Sequence, residues 1–120
     1  TTIRTMLSLS VSNSWPIHQL DVKNAFLHGD LNETVYMHQP TGFIDPRFPK
    51  HVCLLKRSLY GLKQAPMAWF NQLKQHLVTH GFRECQSNTL LFVHLSSYAI
   101  VYIVVYVDDL IIIGTYLQFI

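Results

Sequence analysis

Charge is scarce in this chain. Only 13% of its 120 residues are Asp, Glu, Lys or Arg, nine cations against seven anions, for a net charge of +2. That share is about half the ~25% usual in soluble domains. Bulk charge therefore gives no reason to expect a polyanionic partner; such binding has to come from where the few charges stand. Cysteine is scarce too. Cys53 and Cys85 lie far apart with no C-x-x-C spacing, which argues against a disulfide framework or zinc knuckle and for two reduced, partly buried thiols. The first fifteen residues lack the basic start and apolar block of a signal peptide. No apolar run reaches the ~20 residues of a membrane span. The longest, residues 98–113, is interrupted by Asp108 and Asp109. Repeats, low-complexity tracts and Gly/Ser linkers are absent, so one domain, or one piece of a larger domain, is expected over residues 1–120.

Apolar residues, by contrast, make up 49% of the chain, enough to exclude disorder. Ile3, Met6, Leu7 and Val11 suit one helical face, ended by Ser12, Asn13 and Ser14. A short strand is expected over residues 17–22, a helical turn over 24–27, and strands over 34–37 and 52–56 with an irregular Pro/Gly-rich connection between them. The clearest helix begins at Ala65-Pro66, carries Trp69, Phe70, Leu73, Leu77 and Val78, and ends before Gly81. Residues 90–95 read as a strand. The β-branched and aromatic run 98–107 and the run 110–113 read as a hairpin joined at Asp108-Asp109. The expected class is α+β with a largely antiparallel sheet.

Two adjacent carboxylates interrupt the most apolar stretch of the chain. Burying an ionised carboxylate without a partner is costly, and two neighbours repel unless a cation holds them. An ordinary acidic turn accounts for the pair taken alone. Asp21 changes the weighing, because it ends another apolar strand, whereas Asp30, Glu33, Asp45 and Glu84 stand in polar or turn-like contexts. Three strand-end aspartates could meet on one sheet edge and hold hard divalent cations, which prefer carboxylate oxygen. Such a cluster suits phosphoryl or nucleotidyl transfer by two metals about 3.5–4 Å apart.

Four segments occur in a fixed order: Asp21-Val-Lys-Asn-Ala-Phe-Leu-His-Gly29, Tyr36-Met-His-Gln-Pro-Thr-Gly-Phe43, Ser58-Leu-Tyr-Gly-Leu-Lys-Gln-Ala-Pro-Met-Ala-Trp69 and Tyr106-Val-Asp-Asp-Leu110. Together they resemble the reverse transcriptases of copia-type LTR retrotransposons, over about residues 2–114. Tyr-x-Asp-Asp alone is a weak pattern; combined with the long Leu-Tyr-Gly-Leu-Lys-Gln-Ala-Pro block of the third segment at this spacing it is specific. The resemblance implies a polymerase palm-like fold with a catalytic Asp-Asp hairpin. It implies an RNA-directed DNA polymerase adding deoxynucleotides to a primer 3′-hydroxyl, with two Mg²⁺ ions, or Mn²⁺ as a substitute. The implied catalytic residues are Asp21, Asp108 and Asp109, with these three and Val22 at the metals.

By the same resemblance Phe26 stands at the position of a steric gate, where an aromatic ring would collide with a ribose 2′-hydroxyl. Tyr60, Gly61 and Gln64 fall in the block that lines the nucleotide pocket, and Tyr106 and Val107 under the primer end. Lys56, Arg57 and Lys63 form the densest basic group and are candidate phosphate contacts. Implied partners are an RNA or DNA template with primer, deoxynucleoside triphosphates and the remainder of a retrotransposon polyprotein, with no membrane. The expected location is a cytoplasmic retrotransposon particle, or the nucleus. Most of the fingers and the thumb are expected to lie outside these residues. Met67 and Asn88 depart from the arginine and aspartate frequent at these positions of the family.

Other features read as structural. His76 and His80 share an i, i+4 spacing but lack the glutamate of H-E-x-x-H and a third ligand; they are expected at the surface near a helix C-terminus. Trp69, Phe70, Leu73 and Leu77 are expected to form a core stripe, and Tyr98 and Tyr102 to pack along a strand. Ser58 has no triad partner. Two alternatives remain open: a catalytically silent remnant of a retrotransposon polyprotein, and a Mg²⁺-dependent nuclease, which leaves the segment from Leu59 to Trp69 unexplained.

Overall fold

In the computed structural model, which describes residues 1–115, the elements follow in the order α1 (Thr2–Ser12), β1 (Ile17–Asp21), a 3₁₀ turn (Ala25–His28), β2 (Tyr36–His38), β3 (Val52–Leu54), α2 (Ala65–Thr79), β4 (Arg83–Cys85), β5 (Asn88–Leu95), β6 (Ile100–Tyr106) and β7 (Asp109–Gly114). They fall into two units. One comprises Thr1–Ala25 and the chain from Leu73 onward; the other is Phe26–Gln72.

The first unit is built on a five-stranded sheet in the order β1-β7-β6-β5-β4, every neighbouring pair antiparallel. Strand alternation separates two faces. On one, Met6 of α1 packs with Leu91, Val104 and Ile113, while Ile3 and Leu7 close over them. Trp15 stacks on Tyr102 on this side, ring centroids 6.0 Å apart. On the other face Leu77 of α2 lies with Val101 and Ile103 around a cavity of about 400 Å³, also lined by His76, His80 and His94. Burial of Phe92 and Ile113 is complete, and each such side chain contributes about 1.5–3 kcal/mol.

Local chemistry sets the helix ends. At the end of α1 the backbone and side-chain N–H groups of Asn13 both donate to the Leu9 carbonyl, at 3.0 and 2.8 Å. Gly81, at φ +88°, ends α2: its N–H donates to Val78 O (3.1 Å) and that of Phe82 to Leu77 O (3.0 Å), the paired bonds of a Schellman cap. The ammonium of Lys74 pairs with Glu84, joining α2 to β4.

In the second unit β2 and β3 form a ribbon with Tyr36 opposite Leu54 and His38 opposite Val52. Gln39 braces the long connection. Its amide donates to the carbonyls of Phe48 and His51, each at 2.9 Å, and its carbonyl accepts from the Asp45 N–H at 2.8 Å. Gly29 lies against the first turns of α2 so closely that a Cβ would stand 2.8 Å from Trp69 N and 2.9 Å from Ala68 C. The Ser58 N–H donates to Gly29 O at 3.0 Å.

The structure departs from the sequence reading at several points. Tyr98 does not pack: it is 88% exposed, in a turn where Ser96 Oγ accepts from the N–H groups of Tyr98 and Ala99. That local serine bond holds the turn against the β propensity of the run, and the strand starts two residues later. Every residue of β1 is exposed, although it was expected as an apolar strand; among the described residues β1 has a strand on one side only, β7. The strand β4 was not anticipated, since Arg83-Glu84-Cys85 has no apolar periodicity. Trp69, Leu73 and Leu77 are buried as expected, and Phe70 is half-buried. His76 and His80 are exposed, the latter's Nδ1 2.8 Å from His76 O. Both cysteines are free and half-buried. No helix among the described residues is long and apolar enough to cross a membrane.

Candidate active site

Asp21 is the last residue of β1 and Asp109 the first of β7, and the two are register partners. Asp109 is in turn opposite Tyr106, the last residue of β6. Asp21, Asp109 and Tyr106 thus form one row across three strands, their side chains on one face. The expected aspartate pair does not sit wholly in the tip: Asp108 is in the turn, whereas Asp109 belongs to β7. The Val22 N–H donates to Asp108 O at 3.0 Å, tying the end of β1 to the tip.

The tip is made by Val107 and Asp108. Val107 has φ +55°, a backbone region that a β-branched residue rarely occupies. A two-residue hairpin with the first turn residue at positive φ matches the right-handed twist of its strands. The pairing on both sides of the tip thus imposes a conformation that costs of order 1–3 kcal/mol. Tyr106 and Val107 are both exposed, Tyr106 by 60%, while Val22, Asp108 and Asp109 are half-buried.

Whether these residues suit divalent cations can be judged from their chemistry and placement. Asp21 and Asp109 are like charges directly opposite one another, an arrangement that is destabilising in a sheet and that a cation would offset. Carboxylate oxygens are the donors hard cations prefer, so the donor set fits. No group of three or more His, Cys, Asp or Glu side chains gathers closely enough to hold a metal among the described residues. The strands are in register for the site; the side chains stop short of a ready-made cluster.

The remaining candidates lie in the second unit. Phe26, in the 3₁₀ turn, is 8% exposed, and its ring centroid is 4.4 Å from that of Tyr60. Gly61 has φ +92°, and apart from its own chain neighbours nothing lies within 4 Å of where its Cβ would stand, so a bare stretch of backbone faces open space. Gln64 is half-buried just before α2, its carbonyl accepting from the Ala68 N–H at 3.0 Å. Lys56, Arg57 and Lys63 are exposed, and Arg57 forms an isolated antiparallel bridge with Asp30. The Phe26–Tyr60 contact was not anticipated. The two residues are far apart in sequence, and the hint of it was that the family resemblance places both at the nucleotide site. Of the two departures from the family pattern, Met67 is exposed, and the Asn88 amide donates to Thr2 Oγ1.

Known proteins resemble the chain in sequence over most of its length. The family model for reverse transcriptase (RNA-dependent DNA polymerase) matches residues 1–120. The chain is 54% identical over 114 residues to the retrovirus-related Pol polyprotein from transposon RE1 of Arabidopsis thaliana, covering 95% of the chain and 8% of the polyprotein. It is 44% identical over 116 residues to the corresponding polyprotein from transposon TNT 1-94 of Nicotiana tabacum, covering 95% and 9%. Against the putative transposon Ty5-1 protein of Saccharomyces cerevisiae it is 39% identical over 93 residues, 78% of the chain and 30% of that protein. The chain thus spans less than a tenth of the two plant polyproteins. No solved structure matches. The chain belongs to the reverse transcriptase (RNA-dependent DNA polymerase) family, on its copia-type retrotransposon branch.

Proposed function

We propose that this chain carries the catalytic carboxylates of an RNA-directed DNA polymerase with a palm-like sheet, and that Asp21, Asp108 and Asp109 serve two-metal nucleotidyl transfer. The observation that carries this reading is the register pairing of Asp21 with Asp109 beside Asp108 at the hairpin tip. In the reaction the primer 3′-hydroxyl loses its proton and its oxygen attacks the α-phosphorus of a deoxynucleoside triphosphate. A new P–O bond forms as the bond to pyrophosphate breaks. Bound Mg²⁺ would lower the pKa of the attacking hydroxyl and neutralise charge on the phosphates. Asp21 and Asp108 would hold the ions, with Asp109 and the backbone at Val22 completing the set.

Next to Asp108 and Asp109, Tyr106 and Val107 offer an exposed aromatic ring and a small apolar side chain for packing against the primer end. Phe26 would exclude the ribose 2′-hydroxyl, Tyr60, Gly61 and Gln64 would border the nucleotide, and Lys56, Arg57 and Lys63 would contact phosphates of primer or template. The substrates are then a primed RNA or DNA template and deoxynucleotides, and the working context is a longer retrotransposon polyprotein in a cytoplasmic particle or the nucleus.

A second reading is a catalytically silent remnant of a retrotransposon polyprotein. Primer extension on an RNA template with Mg²⁺ separates the two. The assay uses the 120-residue chain and the same residues grafted in place of the matching segment of the RE1 polyprotein. The graft should extend primers, the isolated chain little or not at all, and Asp108→Asn should abolish extension. Extension that survives Asp108→Asn overturns the metal assignment, and a graft inactive beside an active parent supports the silent reading.

A further inference from the structure

The contact between Phe26 and Tyr60 is built into the backbone of its unit. The Gly29 N–H donates to Phe26 O at 3.2 Å, closing the turn that carries Phe26. The Ser58 N–H then donates to Gly29 O at 3.0 Å, and Asp30 bridges Arg57 beside it. These bonds lock the segment 57–58 to the segment 29–30, and Tyr60 follows two residues later. Gly29 has no slack for sliding, because the backbone of Ala68 and Trp69 fills the space where a Cβ would be. The two rings meet at 4.4 Å with a 37° tilt, a close aromatic pair. Their exposures differ sharply: Phe26 is 8% exposed and Tyr60 51%. Tyr60 is the outer ring and Phe26 the inner one. Beyond them Gly61 leaves its side open.

A steric filter rejects a substrate only as firmly as the filtering group is held. A phenylalanine ring with nothing opposite it can turn to another staggered rotamer at small cost, and a ring that swings aside admits the group it should exclude. We infer that Tyr60 is a positioning residue, whose ring holds Phe26 in one orientation and so sets how strongly the site discriminates against a ribonucleotide. This rests on the reading of Phe26 as the gate. It assigns Tyr60 a role through Phe26, distinct from direct contact with the nucleotide. The hydroxyl of Tyr60 has no part in it; the ring does.

The test is single-nucleotide incorporation by the RE1 graft, comparing a deoxynucleotide with the matching ribonucleotide. Phe26→Ala should remove most of the discrimination. Tyr60→Ala should weaken it by about three- to tenfold, the scale of one aromatic pair, chiefly through a lower KM for the ribonucleotide. Tyr60→Phe should keep it. The double variant should discriminate no worse than Phe26→Ala alone, because the effect of Tyr60 passes through that ring. If Tyr60→Ala fails to fold, Tyr60→Leu keeps apolar bulk without a ring and should show the same loss. A Tyr60→Ala or Tyr60→Leu protein with unchanged discrimination overturns the inference, as does an equal loss in the Phe26→Ala background. These failures differ from failure of the underlying reading, in which the unsubstituted graft extends no primer or Phe26→Ala leaves selectivity intact.

Discussion

Asp21 and Asp109 face each other as the last register pair of β1 and β7, the one like-charged pair in a ladder otherwise made of Ile17–Ile113, His18–Ile112, Gln19–Ile111 and Leu20–Leu110. Without a cation this pair opposes the folding of its own sheet. Asp21→Asn should therefore raise stability in metal-free buffer by about 0.2–1 kcal/mol. Millimolar Mg²⁺ should raise the thermal midpoint of the unsubstituted chain and have much less effect on the variant. Equal Mg²⁺ responses in the two proteins would count against ion binding by Asp21.

Val107 holds a positive φ at the hairpin tip. Glycine takes that conformation freely, at an entropic cost of roughly 0.5–1 kcal/mol that is smaller than the strain removed. Val107→Gly is expected to raise the unfolding midpoint by a few degrees and to slow primer extension by the graft, since a relaxed tip holds Asp108 less firmly. Val107→Thr, still β-branched, should give no such gain. A Val107→Gly midpoint below that of the parent would show that the tip is not strained.

Gly29 touches α2 backbone where any side chain would have to go. Because the opposing atoms are main chain, no rotamer change relieves the clash. Gly29→Ala should destabilise Phe26–Gln72 by about 1–3 kcal/mol, read as lost hydrogen-exchange protection at Ser58, whose N–H is bonded to the Gly29 carbonyl. Unaltered protection there would mean that the contact is not tight in solution.

Acid should loosen the connection between β2 and β3, but late. The Arg47 side chain, and then the Arg47 backbone N–H, hold the Asp45 carboxyl below its ordinary value. With the folded value below the unfolded one, the stabilising effect is present above the unfolded value and lost as pH falls through the lower folded value. Chemical-shift titration should find Asp45 titrating below an ordinary aspartate, and Arg47→Gln should move it back upward. An Asp45 midpoint indifferent to Arg47→Gln would remove the pair as the cause.

Much of this arrangement was legible in the residues, for identifiable reasons. The β-branched run before Asp108 and the isoleucines after it can scarcely be anything but paired strands, and Ala65-Pro66 with Gly81 brackets α2 closely. What stayed hidden depended on partners distant in the chain. Nothing local marks Asp109 as the register partner of Asp21, or β2 as the partner of β3. The short β4 is held by the pairing of Glu84 with Lys74 and by β5, neither of which its own three residues announce. Tyr98 misled for the opposite reason: its propensity was clear, but Ser96 two residues earlier supplied a competing bond. At the candidate site the aspartates stood out by their scarcity, whereas the aromatic contact behind the proposed gate is a product of the fold.

The register of β1 also has a consequence in time. Among the described residues, β1 has a strand neighbour on one side only, and that neighbour is β7. The two carboxylates they bring together are roughly ninety residues apart in the chain, which at about 5–20 residues per second of synthesis is on the order of 5–20 seconds. Throughout that interval the nascent chain carries Asp21 on an unpaired strand, with nothing yet made for it to face. The order of translation thus places the carboxylate pair at the end of assembly, after the helices and the other strands of this segment have already left the ribosome.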